Sequence, residues 1–102
     1  MPSTDPHSFN LSLQILIALA SPIRLRAMHE IYQHGPTTAL PLGNRLGIDV
    51  KKMSRHLQCL RRAGLLEQGM GRVYKLPDQA IAGERGTLDF GVVLLRLGQG
   101  TA

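Results

Sequence analysis

Residues 46–66 read LGIDVKKMSRHLQCLRRAGLL. Gly47-Ile48-Asp49 is a tight connection, Asp49 is a residue type that caps a helix, and Gly64 is one that ends it, so the stretch predicts a helix through about Ala63. With Val50 at zero and a step of about 100° per residue, Met53, Leu57 and Leu60 fall within roughly 80° of one another as an inward stripe. The opposite side carries Lys51, Arg55, Gln58 and Arg62, with Ser54 and Lys52 on its flanks. Five basic residues, Lys51, Lys52, Arg55, Arg61 and Arg62, stand within residues 51–66, and from Lys51 onward no acidic residue occurs before Glu67. The chain has 12 Lys and Arg against 7 Asp and Glu, so without these five the signs balance, and the net charge of +5 equals this one helix. Such an excess is either a surface for a polyanion or a solvated helix face.

Upstream, ALPLGNRL (39–46) reads as a short helix with Thr38 as its cap and Pro41 in its first turn. Two helices joined by Gly47-Ile48-Asp49 have the layout of a helix-turn-helix. Before them, Ser21-Pro22 starts a further helix, IRLRAMHEIYQH, which stops at Gly35-Pro36. From Leu11 to Ala20 the apolar residues are too dense for one stripe: Leu13, Leu16, Ile17 and Ala20 fit one helical face, while Leu11, Ile15, Ala18 and Leu19 fit a second. A helix apolar on two sides needs cover on both, the first hint of a partner. Residues 1–7, MPSTDPH, have two prolines and no apolar pattern, so a flexible tail is expected there and a single domain over 8–98.

Downstream of Gly64 the period changes. LLEQ and RVYKL flank Gly69-Met70-Gly71, which predicts a β-hairpin offering Arg72 at its tip and Lys75 further along. Asp78 to Ala82 fits one more helical turn, and the closing run LDFGVVLLRL (88–97) is expected to be one strand. On alternation, Leu88, Phe90, Val92 and Leu94 face one side and Val93, Leu95 and Leu97 the other, so the strand needs cover, either against the hairpin or from a twin subunit. The expected fold is α+β: a mostly helical winged helix-turn-helix with a β-hairpin wing and an additional C-terminal strand.

A 43% hydrophobic share with 4% aromatic residues and no Trp gives one modest, aliphatic core in 102 residues. The sequence pI of about 10.2 is that of many nucleic-acid-binding domains. Cys59 is the only cysteine, which excludes an internal disulfide and suits a reducing cytoplasm. LSLQILIALA (11–20) superficially copies an export signal, but residues 1–10 hold Asp5 and no Lys or Arg, and the run is too short and polar to span a bilayer. No membrane association is expected.

In a major groove, Arg and Lys read guanine acceptors, Gln pairs with adenine, and Ser serves phosphate or base. The second helix of a helix-turn-helix is the one that enters. LASPIRLRAM (19–28), residues 46–66 and GRVYKL (71–76) together resemble the ArsR-like winged helix-turn-helix repressors over about residues 11 to 77. The resemblance implies a homodimeric, sequence-specific regulator of transcription on double-stranded DNA, usually a repressor. By the match, Ser54, Arg55 and His56 take the DNA-reading centre, Lys51 and Lys52 the helix start, and Arg72 the wing. The chain departs from the family where many relatives hold a metal-sensing cysteine pair, since TTALPLGNRLGI (37–48) has no Cys or His. Its tail also reads as a strand where the family has a dimerising helix. No metal and no other cofactor is expected, and the sequence does not identify a small-molecule effector.

Other readings stand beside this one. His56 borders the apolar stripe, where a structural hydrogen bond and a phosphate contact are equally open. His7, His29 and His34 lack ligand spacing, and Cys59 is either inert packing or a thiolate activated by Arg61 and Arg62. Neither a phosphate loop nor a nucleophile constellation is present, so the chain is not expected to be an enzyme. The rival reading is a winged-helix protein-interaction module without specific DNA binding.

Overall fold

The computed structural model describes residues 6–91 and 94–97, with side chains from Leu13 onward. Four helices lead: α1 (Pro6–Leu19), α2 (Pro22–His34), α3 (Ala39–Leu46) and α4 (Val50–Arg62). A hairpin of β1 (Glu67–Gln68) and β2 (Tyr74–Lys75) follows, then a single turn α5 (Asp78–Ile81) and a second hairpin, β3 (Thr87–Asp89) with β4 (Leu94–Arg96). The architecture is an α+β winged helix.

Local chemistry explains the boundaries. The Ser21 hydroxyl accepts from the Arg24 N–H at 3.3 Å with Pro22 in the first helical turn, and the Asp49 carboxylate accepts from the Lys51 and Lys52 N–H groups at 3.0 and 3.4 Å. At the far end of α4, Gly64 adopts φ +81°, which lets the Leu65 N–H reach back to the Leu60 carbonyl at 2.9 Å. The α3–α4 turn repeats the device, with Gly47 at φ +70° and the Ile48 N–H on the Gly43 carbonyl at 2.8 Å. Helix α3 crosses so closely here that a Cβ on Gly43 would stand 2.6 Å from the Ile48 carbonyl oxygen.

The core is aliphatic. Ala27, Met28 and Ile31 of α2, Leu42 of α3 and the α4 stripe Met53, Leu57 and Leu60 are buried with Leu65, Leu66, Tyr74, Leu76, Leu88 and Leu97. Helix α1 joins through Ile15, Ala18 and Leu19, while Leu13, Leu16 and Ile17 on its opposite side are exposed. The division follows the two faces read from the sequence.

Four expectations change. Pro6 and His7, expected in the tail, stand in helix α1; residues 1–5 lie outside the described part. Thr38 occupies the N-cap position of α3 but makes no side-chain cap bond; the hydroxyl of its neighbour Thr37 turns to the Thr38 carbonyl at 3.2 Å. The first hairpin is short, yet Thr37 and Tyr74 exchange backbone bonds of 3.0 and 2.8 Å, adding a third chain segment to the wing. The closing run is not one strand but two: Asp89 Oδ1 accepts from the Gly91 N–H at 2.8 Å, Gly91 takes φ +85°, and Leu88 pairs back with Leu95. The tail therefore pairs within the chain, with its own return strand and not with the wing. Val92 and Val93 lie outside the described residues.

Candidate nucleic-acid interface

Asp49 sets the start of α4, and the burial of Met53, Leu57 and Leu60 sets its rotation. The side left to solvent is the cationic one: Lys51, Lys52, Arg55, Arg61 and Arg62 are exposed, with Ser54 and Gln58 half-buried between them. Among the described residues none of these five cations makes an ion pair; the pairs that form use Arg45, Lys75 and His34. Arg61 and Arg62 sit in the last turn, where the helix dipole favours a cation. Lys51 and Lys52 sit in the first turn, where the dipole opposes them by about 0.3–1 kcal/mol each. Helix stability therefore does not account for that pair.

The wing supplies a second observation of the same kind. Arg72 has φ +58°, the one non-glycine residue with positive φ among those described, and it follows Gly71 at φ +70°. An arginine held there costs on the order of 1 kcal/mol against a glycine-compatible backbone, and such strain gathers at functional positions. Arg72 is exposed, makes no ion pair among the described residues, and lines one groove together with Lys51, Ser54, Val50, Thr38 and Leu40. The groove thus joins the first turn of α4, the start of α3 and the wing.

His56 turns elsewhere. Its Nδ1 accepts from Arg24 Nε at 3.1 Å, and the same guanidinium donates through Nη1 to the Ala18 and Ile17 carbonyls at 3.1 and 3.4 Å. Burial, and then the charge of Arg24, hold the imidazole below its ordinary value of 6.5. The structural hydrogen bond expected as one role of His56 is formed through Nδ1.

Lys51 and Arg72 are the cations that line the groove; Lys52, Arg55 and Gln58 lie on the same exposed side of α4 outside its lining, and Lys75 and Arg62 stand apart from it. Lys75 lies 3.6 Å from Asp78 and 4.0 Å from Glu67, and it lines a different cavity. Arg62 is at the opposite end of α4, beside Cys59, Gln14 and Ile17. Cys59 is half-buried. Thr38 and Leu40, which line the groove, were missed by sequence reasoning beyond the capping role given to Thr38; their place depends on how α3 packs under the wing, for which no local signal exists. Among the described residues no three His, Cys, Asp or Glu side chains gather where they could hold a metal ion, and no helix is long and apolar enough to cross a membrane.

Comparison with known families finds that residues 19–69, half of the chain, match a family described as a helix-turn-helix domain. The matched span begins at the end of α1, takes in α2, α3 and α4, and stops before the wing tip. No curated protein matches the chain.

Proposed function

Because the chain belongs to the helix-turn-helix domain family, we propose that it is a sequence-specific DNA-binding regulator of transcription that acts as a homodimer in the cytoplasm. Helix α4 enters the major groove, where Arg55 and Gln58 read base edges; Lys51, Lys52 and Ser54 hold phosphates; and Arg72 reaches the adjacent backbone or minor groove. One observation carries the reading: Lys51 in the first turn of α4, set against the helix dipole, and Arg72 at the wing tip, held on a left-handed backbone, line a single groove with Ser54, and neither makes an ion pair among the described residues. Repression is taken from the resemblance to the ArsR-like repressors. The reading includes no catalytic activity, and no metal, since the stretch 37–48 lacks the cysteine pair of the metal-sensing relatives.

Filter binding to random duplex DNA across a salt series tests it. Phosphate-dominated binding weakens steeply as salt rises, and selection from a randomised pool then enriches an inverted repeat with half-sites about one helical turn apart. A protein that retains no duplex at low salt would be an interaction module instead.

A further inference from the structure

The described residues leave a cavity of about 780 Å3 between the end of α2, the strand β2 and the α5–β3 connection. Its size lies within the range of about 300–1,000 Å3 usual for small-molecule sites. Part of its lining is apolar: Ile81, 45% exposed, stands there with Leu76 and Pro36. The polar part holds Arg85, Lys75, Tyr32 and Gln33 together with one carboxylate, Asp78, which Lys75 pairs at 3.6 Å. Arg85 makes no ion pair or side-chain hydrogen bond among the described residues. Tyr32 Oη accepts from the Gly86 N–H at 2.8 Å, and the described residues give its own proton no acceptor. Lys75 completes the set, its charge already shared between Asp78 and Glu67 at 3.6 and 4.0 Å.

Apolar side chains beside donors, with Asp78 offset by Lys75 and the Arg85 guanidinium uncompensated, fit a ligand with an apolar body and an anionic, acceptor-only head. We infer that this cavity binds a small organic carboxylate, its head on Arg85 and the Tyr32 hydroxyl and its hydrocarbon body against Ile81, Leu76 and Pro36. A guanidinium takes a carboxylate through two parallel N–H···O bonds, which a neutral amide cannot reproduce. Inorganic phosphate meets the same donors but has no body for the apolar side chains.

Amide-resolved NMR titration of the full chain without DNA provides the test, so that it stands or falls apart from the reading of α4. The probes are hexanoate, benzoate and phenylacetate, their neutral amides, and inorganic phosphate. At least one carboxylate shifts the Tyr32, Gly35 and Gly86 amides saturably at millimolar concentration, its amide does not, and phosphate does so more weakly. Arg85→Gln, at an exposed position, lowers that affinity by about ten- to a hundred-fold while leaving the rest of the spectrum in place. The proposal is overturned if no carboxylate moves these signals, if amide or phosphate binds as well, or if Arg85→Gln binds equally.

Discussion

Arg24 Nε donates to His56 Nδ1 at 3.1 Å, fastening the first turn of α2 to the middle of α4. The bond requires a neutral imidazole with Nδ1 unprotonated, its remaining proton on Nε2. Arg24 also closes the carbonyl end of α1 through Ala18 and Ile17, so one guanidinium positions three helices. Protonating His56 converts its acceptor into a donor beside a cation.

The pH dependence follows from the sign of that shift. His56 binds its proton less tightly folded than unfolded, so its contribution to stability is fully present above 6.5 and is lost as pH falls from there through the lower folded-state value. Urea unfolding between about pH 7 and pH 5 should show stability falling with acid, and His56→Gln should flatten that slope. An unchanged slope would mean that other groups carry it. Arg24→Ala should cost about 1–3 kcal/mol at neutral pH by leaving the α1 carbonyls and His56 without their donor.

For DNA, Arg55→Ala should cost on the order of 1–3 kcal/mol on the selected operator and relax the sequence preference at one position, if its contact is bidentate to guanine. Lys52→Ala should weaken all sequences alike and lower the salt slope by about one. Arg72→Gly should weaken binding while changing stability by no more than about 1 kcal/mol, because glycine relieves the left-handed backbone. Lys75→Ala, already paired to two carboxylates, should change affinity least. Unchanged binding in both Arg55→Ala and Lys52→Ala, with the fold intact, would show that α4 is not the reading helix.

Gly43→Ala tests the tightness of the helix-turn-helix itself. The new Cβ would lie 2.6 Å from the Ile48 carbonyl oxygen, a backbone atom that cannot swing away. Overpacking of this kind costs about 1–3 kcal/mol, which a thermal or urea transition would register directly. Wild-type stability in this variant would mean that the turn at Ile48 can move away from α3 without loss.

The residues that made the fold legible are those whose signals are local. Ser21-Pro22, Asp49 and Gly64 mark ends by satisfying or sparing backbone groups within a turn, and Met53, Leu57 and Leu60 mark a face by period alone. Lys51, Lys52, Ser54 and Arg55 were read from the same period. What was misread has a longer reach or a weaker sign. Gly91 interrupts LDFGVVLLRL with a turn, but the apolar residues on both sides made the run look continuous. The Thr37–Tyr74 bridge joins residues far apart in sequence, and so does Arg24 with His56. Period and capping carry no information about such pairs.

The outer face of α1 bears on the assembly. Leu13, Leu16 and Ile17 are 45%, 55% and 59% exposed on the side opposite buried Ile15, Ala18 and Leu19. Covering three half-exposed aliphatic side chains on each of two copies would contribute about 1–2 kcal/mol apiece. The C-terminal hairpin is a poorer probe of dimerisation, since Leu88 and Leu97 belong to the subunit's own core and removing them would open it. Leu16→Glu with Ile17→Glu places charge on the exposed face and leaves the buried one untouched. Solution mass should fall from dimer to monomer with the helical content retained, and affinity for an inverted repeat should drop toward that for a single half-site. A variant that remains dimeric and binds the full site as before would place the subunit contact elsewhere on the molecule.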